Sequence, residues 1–291
     1  PDLSLTDVLQ WEDVSLGESV GEGAYAEVFK GVLKKDGVEV AVKRFWAEDE
    51  GMTGENWKGD KDQKDETSLV SFRREVALMS LLHHKNIVCL VGVIFSSTTA
   101  VVMEWCDGGS LYDFLHTEKL MCDFTSRDKV CLALGIAEGM LFLHSNSLLH
   151  RDLKSPNVLL KRTTKGSFVP KIADFGLSCK NMFSSGVLSD SSALNPLWAA
   201  PEVLMGGLFS DKSDVYSFAM IVWEIITQKP LFEEVKFQNE IEKMVASGIR
   251  PEVPPNKDEL TLLMILCWAQ DPNRRPAFSE IVPKLSTFLE A

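Results

Sequence analysis

The sequence predicts an α+β protein of two unequal halves, a smaller strand-rich one followed by a larger helical one. Three observations predict it. Up to about residue 105 the chain runs in β-rich segments broken by glycine-containing turns. Beyond residue 106 apolar residues recur at helical spacing. And 291 residues suffice for one large domain or two modest lobes, each with its own core. The change of character near residue 106 marks a hinge at about 104–109, and ligands commonly bind in the crevice beside such a connection.

The elements follow in order. VSLGESV (14–20), EVFKGVL (27–33) and VEVAVKRF (38–45) read as strands, the last two separated by the turn KKDG (34–37). The stretch 47–67 carries eight acids and three lysines; such a composition buries too little to fold alone and reads as a mobile loop or solvated spacer. In SFRREVALMSLLHH (71–84), Phe72, Val76, Met79 and Leu82 keep one apolar helical stripe, and His83-His84 form its end. IVCLVGVI (87–94) and TAVVMEW (99–105) read as two further strands, closed by the glycine-bearing CDGGS (106–110). Val130, Leu134, Ala137 and Leu141 then mark a long amphipathic helix, with later helices expected at 211–228, 233–247, 257–269 and 277–290. A small antiparallel sheet with one helix over about 14–104, and a mostly helical body over about 110–290, together make a single domain over 1–291.

Composition narrows the functional classes. A formal charge of −12 speaks against a general nucleic-acid surface or an acidic-lipid surface. No apolar run reaches the roughly 18 residues a membrane span needs, and LTLLMILCWA (260–269) reads as a buried helix. PDLSLTDVLQ lacks the basic and apolar regions of a secretory signal, and further domains are expected beyond this stretch of chain. The six cysteines are scattered without a C-x-x-C pair, as expected of reduced thiols in a cytoplasmic protein.

Four pieces carry chemistry. VGEGAYAEV (20–28) lies between two expected strands, where Gly21 and Gly23 let backbone amides approach a phosphate; a plain hairpin would read the same way. Lys43 in VAVK sits on a strand among apolar neighbours and needs an anionic partner. Glu75 lies beside the apolar stripe of the next helix and needs a cation. The two can satisfy each other and leave the lysine aimed at phosphate. The fourth piece is HRDLKSPN (150–157) followed by KIADFGLS (171–178). Asn157 and Asp174 supply the hard oxygens that suit Mg²⁺, and Asp152 remains to accept the proton of an attacking hydroxyl.

Taken together and in this order, the Gly loop, VAVK, the helix glutamate, HRDLKSPN, DFG and APE (200–202) resemble a eukaryotic protein kinase catalytic domain over 14–290. The resemblance implies the bilobal protein-kinase fold and an ATP- and Mg²⁺-dependent transferase acting on protein hydroxyls. It implies that Lys43, held by Glu75, grips the α- and β-phosphates, that Asn157 and Asp174 hold Mg²⁺, and that Asp152 is the base, with Lys154 beside the γ-phosphate. It further implies backbone contacts to adenine from Glu104 and Cys106, and a ring sandwiched by Val20, Val28, Ala41 and Leu159. Met103 would be the gatekeeper, and Gly21, Glu22, Gly23 and Ala24 the loop over the phosphates. By the same resemblance Asp214 holds the catalytic loop, Arg275 pairs with Glu202, and Arg151 meets a phosphate on the activation loop. Ser184, Ser185, Ser189, Ser191 and Ser192 are the candidates to carry that phosphate.

Lys154 favours serine and threonine acceptors. CWAQDPNRRPAF, WAAPEVL and SDVYSFAMIVWEIIT resemble the tyrosine-kinase-like group of Ser/Thr kinases, Roco-family kinases first and mixed-lineage or Raf-like kinases next. Dual-specificity or tyrosine transfer, a pseudokinase scaffold and a small-molecule phosphotransferase are the alternatives. There are departures from the family pattern: Ala26 stands at the third loop glycine, Leu194 at a usual glycine, and Asn195 where a threonine commonly bonds the catalytic aspartate. Asn195 is expected to donate the same kind of bond.

Overall fold

A computed structural model of the chain describes residues 7–23, 26–46, 70, 72–117, 125–164, 166–176, 179–180 and 195–290. The acidic stretch 47–67, Ala24, Leu194 and the five candidate serines lie outside the described residues. The chain falls into two compact units, one of Pro1–His84 with Val88–Cys106 and one of Lys85–Ile87 with Asp107–Ala291.

The first unit is a six-stranded sheet. Its strands are β1 (Asp7–Leu9), β2 (Val14–Glu22), β3 (Ala26–Leu33), β4 (Glu39–Phe45), β5 (Leu90–Ile94) and β6 (Ala100–Glu104). Their spatial order is β1-β5-β6-β4-β3-β2. All neighbours pair antiparallel except β1, which runs parallel to β5; sequence reasoning missed that strand, whose three residues are too few to show a period. Val40, Val42, Val102, Ala100 and Ile94 form the buried side, joined by Leu9, Val14 and Leu33. Bringing β1 this close requires a residue without a side chain opposite it. A Cβ on Gly92 would lie 2.7 Å from the Asp7 carbonyl oxygen and 2.7 Å from Leu9 Cδ1. Helix α1 covers 72–79 and buries Phe72, Leu78 and Met79, with the Phe72 ring edge-on to Phe45 at 5.4 Å.

Two expectations shift here. The helix ends before His83-His84, because its last turn tightens: Leu81 N–H donates to Leu78 O at 3.0 Å and Leu82 N–H to Met79 O at 3.1 Å. The strand expected over 87–94 begins only at Leu90, because residues 85–87 bond within the second unit instead. Ile172 N–H donates to Asn86 O at 2.8 Å, and Asn86 Nδ2 donates to Pro170 O at 3.0 Å.

The second unit is mainly helical, with α2 (Leu111–His116), α3 (Ser126–Ser145), α4 (Pro201–Leu204), α5 (Asp211–Thr227), α6 (Gln238–Ala246), α7 (Glu259–Cys267) and α8 (Phe278–Glu290). Thr125 and Asp128 close a capping box that starts α3. Helix α5 is buried on nearly every side from Ser213 to Ile225, as its apolar sequence requires. Helix α6 begins at Gln238 rather than near 233, since a turn over 231–234 with Phe232 at φ 50° breaks the helical backbone. Two short ribbons that the helical pattern hid, β7 (Leu148–Leu149) with β10 (Cys179–Lys180) and β8 (Val158–Arg162) with β9 (Phe168–Ile172), frame the catalytic-loop motif. Among the described residues no helix is long and apolar enough to cross a membrane.

Candidate active site

Each unit carries one half of the expected machinery. In the first, β2 and β3 form a hairpin with Gly21 opposite Val28 and Glu22 opposite Glu27. Gly23 N–H closes it on Ala26 O at 2.8 Å. A Cβ on Gly21 would meet nothing within 4 Å, so packing within the protein does not demand glycine there; the bare backbone leaves room for something to approach it. Ala26, in the third loop position, is buried opposite Phe45 and its methyl group is spent on the core.

Lys43 sits on β4 between Val28 of β3 and Val101 of β6. Its Nζ lies 2.8 Å from Glu75 Oε1 and 2.7 Å from Oε2. Glu75 is only 2% exposed. A buried carboxylate needs this cation, so the pairing expected from sequence is made. Ala41 pairs with Met103 on β6. At the end of β6, Glu104 N–H donates to Cys89 O at 3.0 Å, and the Glu104 carboxylate accepts Cys89 N–H at 2.9 Å. Cys106 is buried, Val28 half-buried and Val20 exposed.

In the second unit the residues of HRDLKSPN converge because their backbone is pinned from two directions. From α5, Asp214 accepts the N–H groups of His150 and Arg151, each at 3.0 Å, while His144 Nε2 lies 2.9 Å from its Oδ2. Burial pushes the Asp214 carboxyl up, but the His144 hydrogen bond, the neighbouring imidazoles and the His150 N–H outweigh it and hold the group below the ordinary aspartate value. From the other side, Ala173 N–H donates to Asn157 O at 2.9 Å. His150 Nε2 lies 3.1 Å from Ala173 O. The residue just before Asp174 is thereby tied to both ends of the loop.

Asp152 itself is oriented by two donors. Lys154 Nζ lies 2.7 Å from Oδ2, and Asn157 Nδ2 donates to Oδ2 at 3.0 Å and to the Asp152 carbonyl at 2.9 Å. Asp174 has φ 62°, in the left-handed region, and its Oδ1 accepts Gly176 N–H at 3.4 Å. Among the described residues no cluster of three His, Cys, Asp or Glu forms a self-sufficient metal cage. The hard-oxygen pair of Asn157 and Asp174 instead fits an Mg²⁺ that fills its shell from phosphate and water. Leu159, on β8, bridges to Ser110.

Arg151 also has a left-handed backbone, at φ 68°. Its guanidinium lies over the Phe209 ring at 5.6 Å, and its buried Nε has no hydrogen-bond partner among the described residues. A small cavity beside it is lined by Asp152, Asn195, Trp198 and Ser213. One expectation is corrected here. Asn195 makes no bond to Asp152 among the described residues; its Oδ1 accepts Leu197 N–H at 3.2 Å. The expected Arg275–Glu202 pair is present as a two-pronged bridge at 2.7 and 2.8 Å. Sequence reasoning missed Glu224, His116, Ser155 and Trp198, which meet in the interior of the second unit; the only trace was a charged residue inside the otherwise apolar AMIVWEII.

A protein-family profile described as "Protein tyrosine and serine/threonine kinase" matches residues 14–285, and the chain belongs to that family. It is similar to the probable serine/threonine-protein kinase roco9 of Dictyostelium discoideum, 36% identical over 98% of this chain and 8% of that protein. It is also similar to the probable serine/threonine-protein kinase SIS8 of Arabidopsis thaliana, 35% identical over 98% of this chain and 26% of the relative. A third relative is the dual specificity protein kinase pyk3 of Dictyostelium discoideum, 35% identical over 96% of this chain and 19% of the relative. The chain therefore spans about a quarter or less of each of these proteins.

Proposed function

We propose that this protein kinase domain transfers the γ-phosphate of ATP, with Mg²⁺, to serine and threonine hydroxyls of protein substrates, in the cytoplasm and as part of a longer protein with flanking domains. The observation that carries this reading is the Asp152 carboxylate held at 2.7 Å by Lys154 and at 3.0 Å by Asn157. In the proposed step Asp152 accepts the proton of the substrate hydroxyl as its oxygen bonds to the γ-phosphorus. The bond from that phosphorus to the bridging oxygen breaks, and ADP leaves. Lys154 offsets the charge gathering on the transferred group at the acceptor end. Lys43, its amine held by Glu75, binds the α- and β-phosphates, and the Gly21–Gly23 turn lends them backbone amides. Asn157 and Asp174 hold the magnesium ion, which when bound neutralises charge on the phosphate oxygens. Val20, Val28, Ala41, Leu159 and Met103 surround the adenine, which Glu104 and Cys106 meet through backbone groups.

The reading is tested by comparing wild type with Asp152→Asn on Mg·ATP and peptides bearing Ser, Thr or Tyr. Loss of about 10²–10⁴-fold in kcat is expected; equal turnover would reject it. A second reading, dual specificity, has the name of one relative, the dual specificity protein kinase pyk3, in its favour, and phosphorylation of the tyrosine peptide at a comparable kcat/KM would establish it.

Regulation belongs to the same proposal. Arg151, whose Nε has no hydrogen-bond partner among the described residues, is suited to an anion, and phosphorylation at Ser184, Ser185, Ser189, Ser191 or Ser192 would supply one. Replacing all five by alanine is expected to remove activation by phosphorylation; unchanged turnover and unchanged response to phosphatase would rule it out.

A further inference from the structure

Glu224 lies inside α5 with no solvent exposure, and nothing in the proposed chemistry uses it. An ionised carboxylate there needs several donors to offset its lost hydration. It has them from three separate elements. Oε2 accepts Trp198 Nε1–H at 2.8 Å. Oε1 accepts Ser155 Oγ–H at 2.9 Å and lies 3.1 Å from His116 Nε2, at the end of α2. The two oxygens therefore serve different masters.

One is the loop that carries Asp152: Ser155 follows Lys154 directly and shares its short 3₁₀ turn with Asn157. The other is the 195–200 segment, whose Trp198 lines the same cavity as Asp152. Trp198 is held at its other end by α5 as well, since Ser217 Oγ–H donates to its carbonyl at 2.8 Å. Turning one carboxylate would move both walls of that cavity against each other. Ordinary packing does not require this arrangement, as an apolar side chain of similar size would fill the space without demanding three converging donors.

We propose that Glu224 is a positioning residue for phosphoryl transfer, fixing the separation between the loop bearing Asp152 and the 195–200 segment against which an acceptor would lie. It never touches the reacting atoms; it acts through Ser155 and Trp198. The proposal rests on the reading of Asp152 as the base. Because the nucleotide is held by other groups, loss of Glu224 falls on kcat for the peptide and not on ATP binding. Misplacing a reacting group by about 1 Å costs roughly 10²-fold.

The test uses Glu224→Gln, Trp198→Phe and Ser155→Ala, with kcat expressed per nucleotide-binding site measured by titration with Mg·ATP analogue, so that misfolded material does not count. Each is expected to lower kcat on a serine peptide by about 10- to 100-fold, with KM for ATP unchanged. Glu224→Gln combined with Trp198→Phe is expected to lose no more than the worse single variant, since both act through one node. Wild-type kcat per site in Ser155→Ala and Trp198→Phe would overturn the proposal, as would losses that multiply in the double variant. If Glu224→Gln does not fold, those two milder variants still decide it. Full activity of Asp152→Asn would instead sink the underlying reading. An inactive Asp152→Asn beside unaffected Ser155 and Trp198 variants would sink this inference alone.

Discussion

The backbone N–H of Arg151 donates to Oδ1 of Asp214 at 3.0 Å, across 63 positions of sequence. Arg151 has φ 68°, a left-handed conformation that costs a non-glycine residue about 1 kcal/mol or more. The buried carboxylate holds the loop in that shape and takes the His150 N–H with its other oxygen.

Asp214→Asn replaces one acceptor oxygen by an NH₂ group facing a backbone N–H. A loss of about 3 kcal/mol is expected, with kcat falling further than the folded fraction. The pH dependence has a definite sign. The folded carboxyl titrates below its ordinary value, so its contribution is full above the unfolded value of about 4 and fades as pH falls through the lowered folded one. Urea unfolding of both proteins should show the gap widest near neutrality and closing below about pH 4; a gap that widened in acid would contradict it.

Lys43→Met takes the ion-pair cation from a glutamate that is almost wholly buried. The expected cost is about 3–5 kcal/mol, the range for breaking a buried pair from one side. Adding Glu75→Gln removes the buried negative charge and should restore most of that stability while leaving peptide phosphorylation absent. Calorimetry and a phosphorylation assay on the single and double variants separate the structural role of the pair from its catalytic one.

Gly92→Ala would set a methyl carbon 2.7 Å from Asp7 O and from Leu9. Strand β1 must shift or detach, at a cost of about 1–3 kcal/mol, with faster amide exchange along β1 and β5. A chain starting at Val14, which lacks β1, should tolerate the same substitution. Equal destabilisation of both would show that the crowding has another source.

Tyr216 is buried with its hydroxyl unpartnered among the described residues, and the guanidiniums of Arg250 and Arg275 lie 5.0 and 5.1 Å from its ring. Burial pushes its pKa up to about 12, against the smaller pull of the two arginines. A raised pKa contributes stability that is full below the unfolded value of about 10 and is lost as pH climbs towards 12. Tyr216→Phe should therefore be neutral or up to about 1 kcal/mol more stable near pH 7. It should also lose less stability than wild type between pH 10 and 12. Cys267, which burial also raises to about 12, titrates in both proteins and cancels in the difference.

Much of the fold was legible because its signals are local. β-rich runs between glycine-containing turns announced β2, β3, β4 and β6, and a helical stripe announced α3. The order of VAVK, HRDLKSPN and DFG announced the candidate active-site residues before any distance was known. Local pattern failed where a partner distant in sequence decided the outcome. Residues 87–89 have strand composition, yet Asn86 and Ile87 bond to β9 and the strand starts at Leu90. Asn195 has an amide able to donate to Asp152, but among the described residues its side chain caps Leu197 N–H and makes no bond to Asp152.

The sequence by itself determined the alternation of strands and helices, the charge, and the identity of the groups suited to phosphoryl transfer, since each is a property of residue type and spacing. Only the tertiary structure decided which buried charges meet. Asp214 reaches the loop at 150–151, Ala173 ties Asp174 to Asn157, and Glu224 gathers Ser155, Trp198 and His116. The reason is energetic: a buried polar group must find a partner wherever the packed chain brings one, and that partner is chosen by proximity in space rather than along the chain.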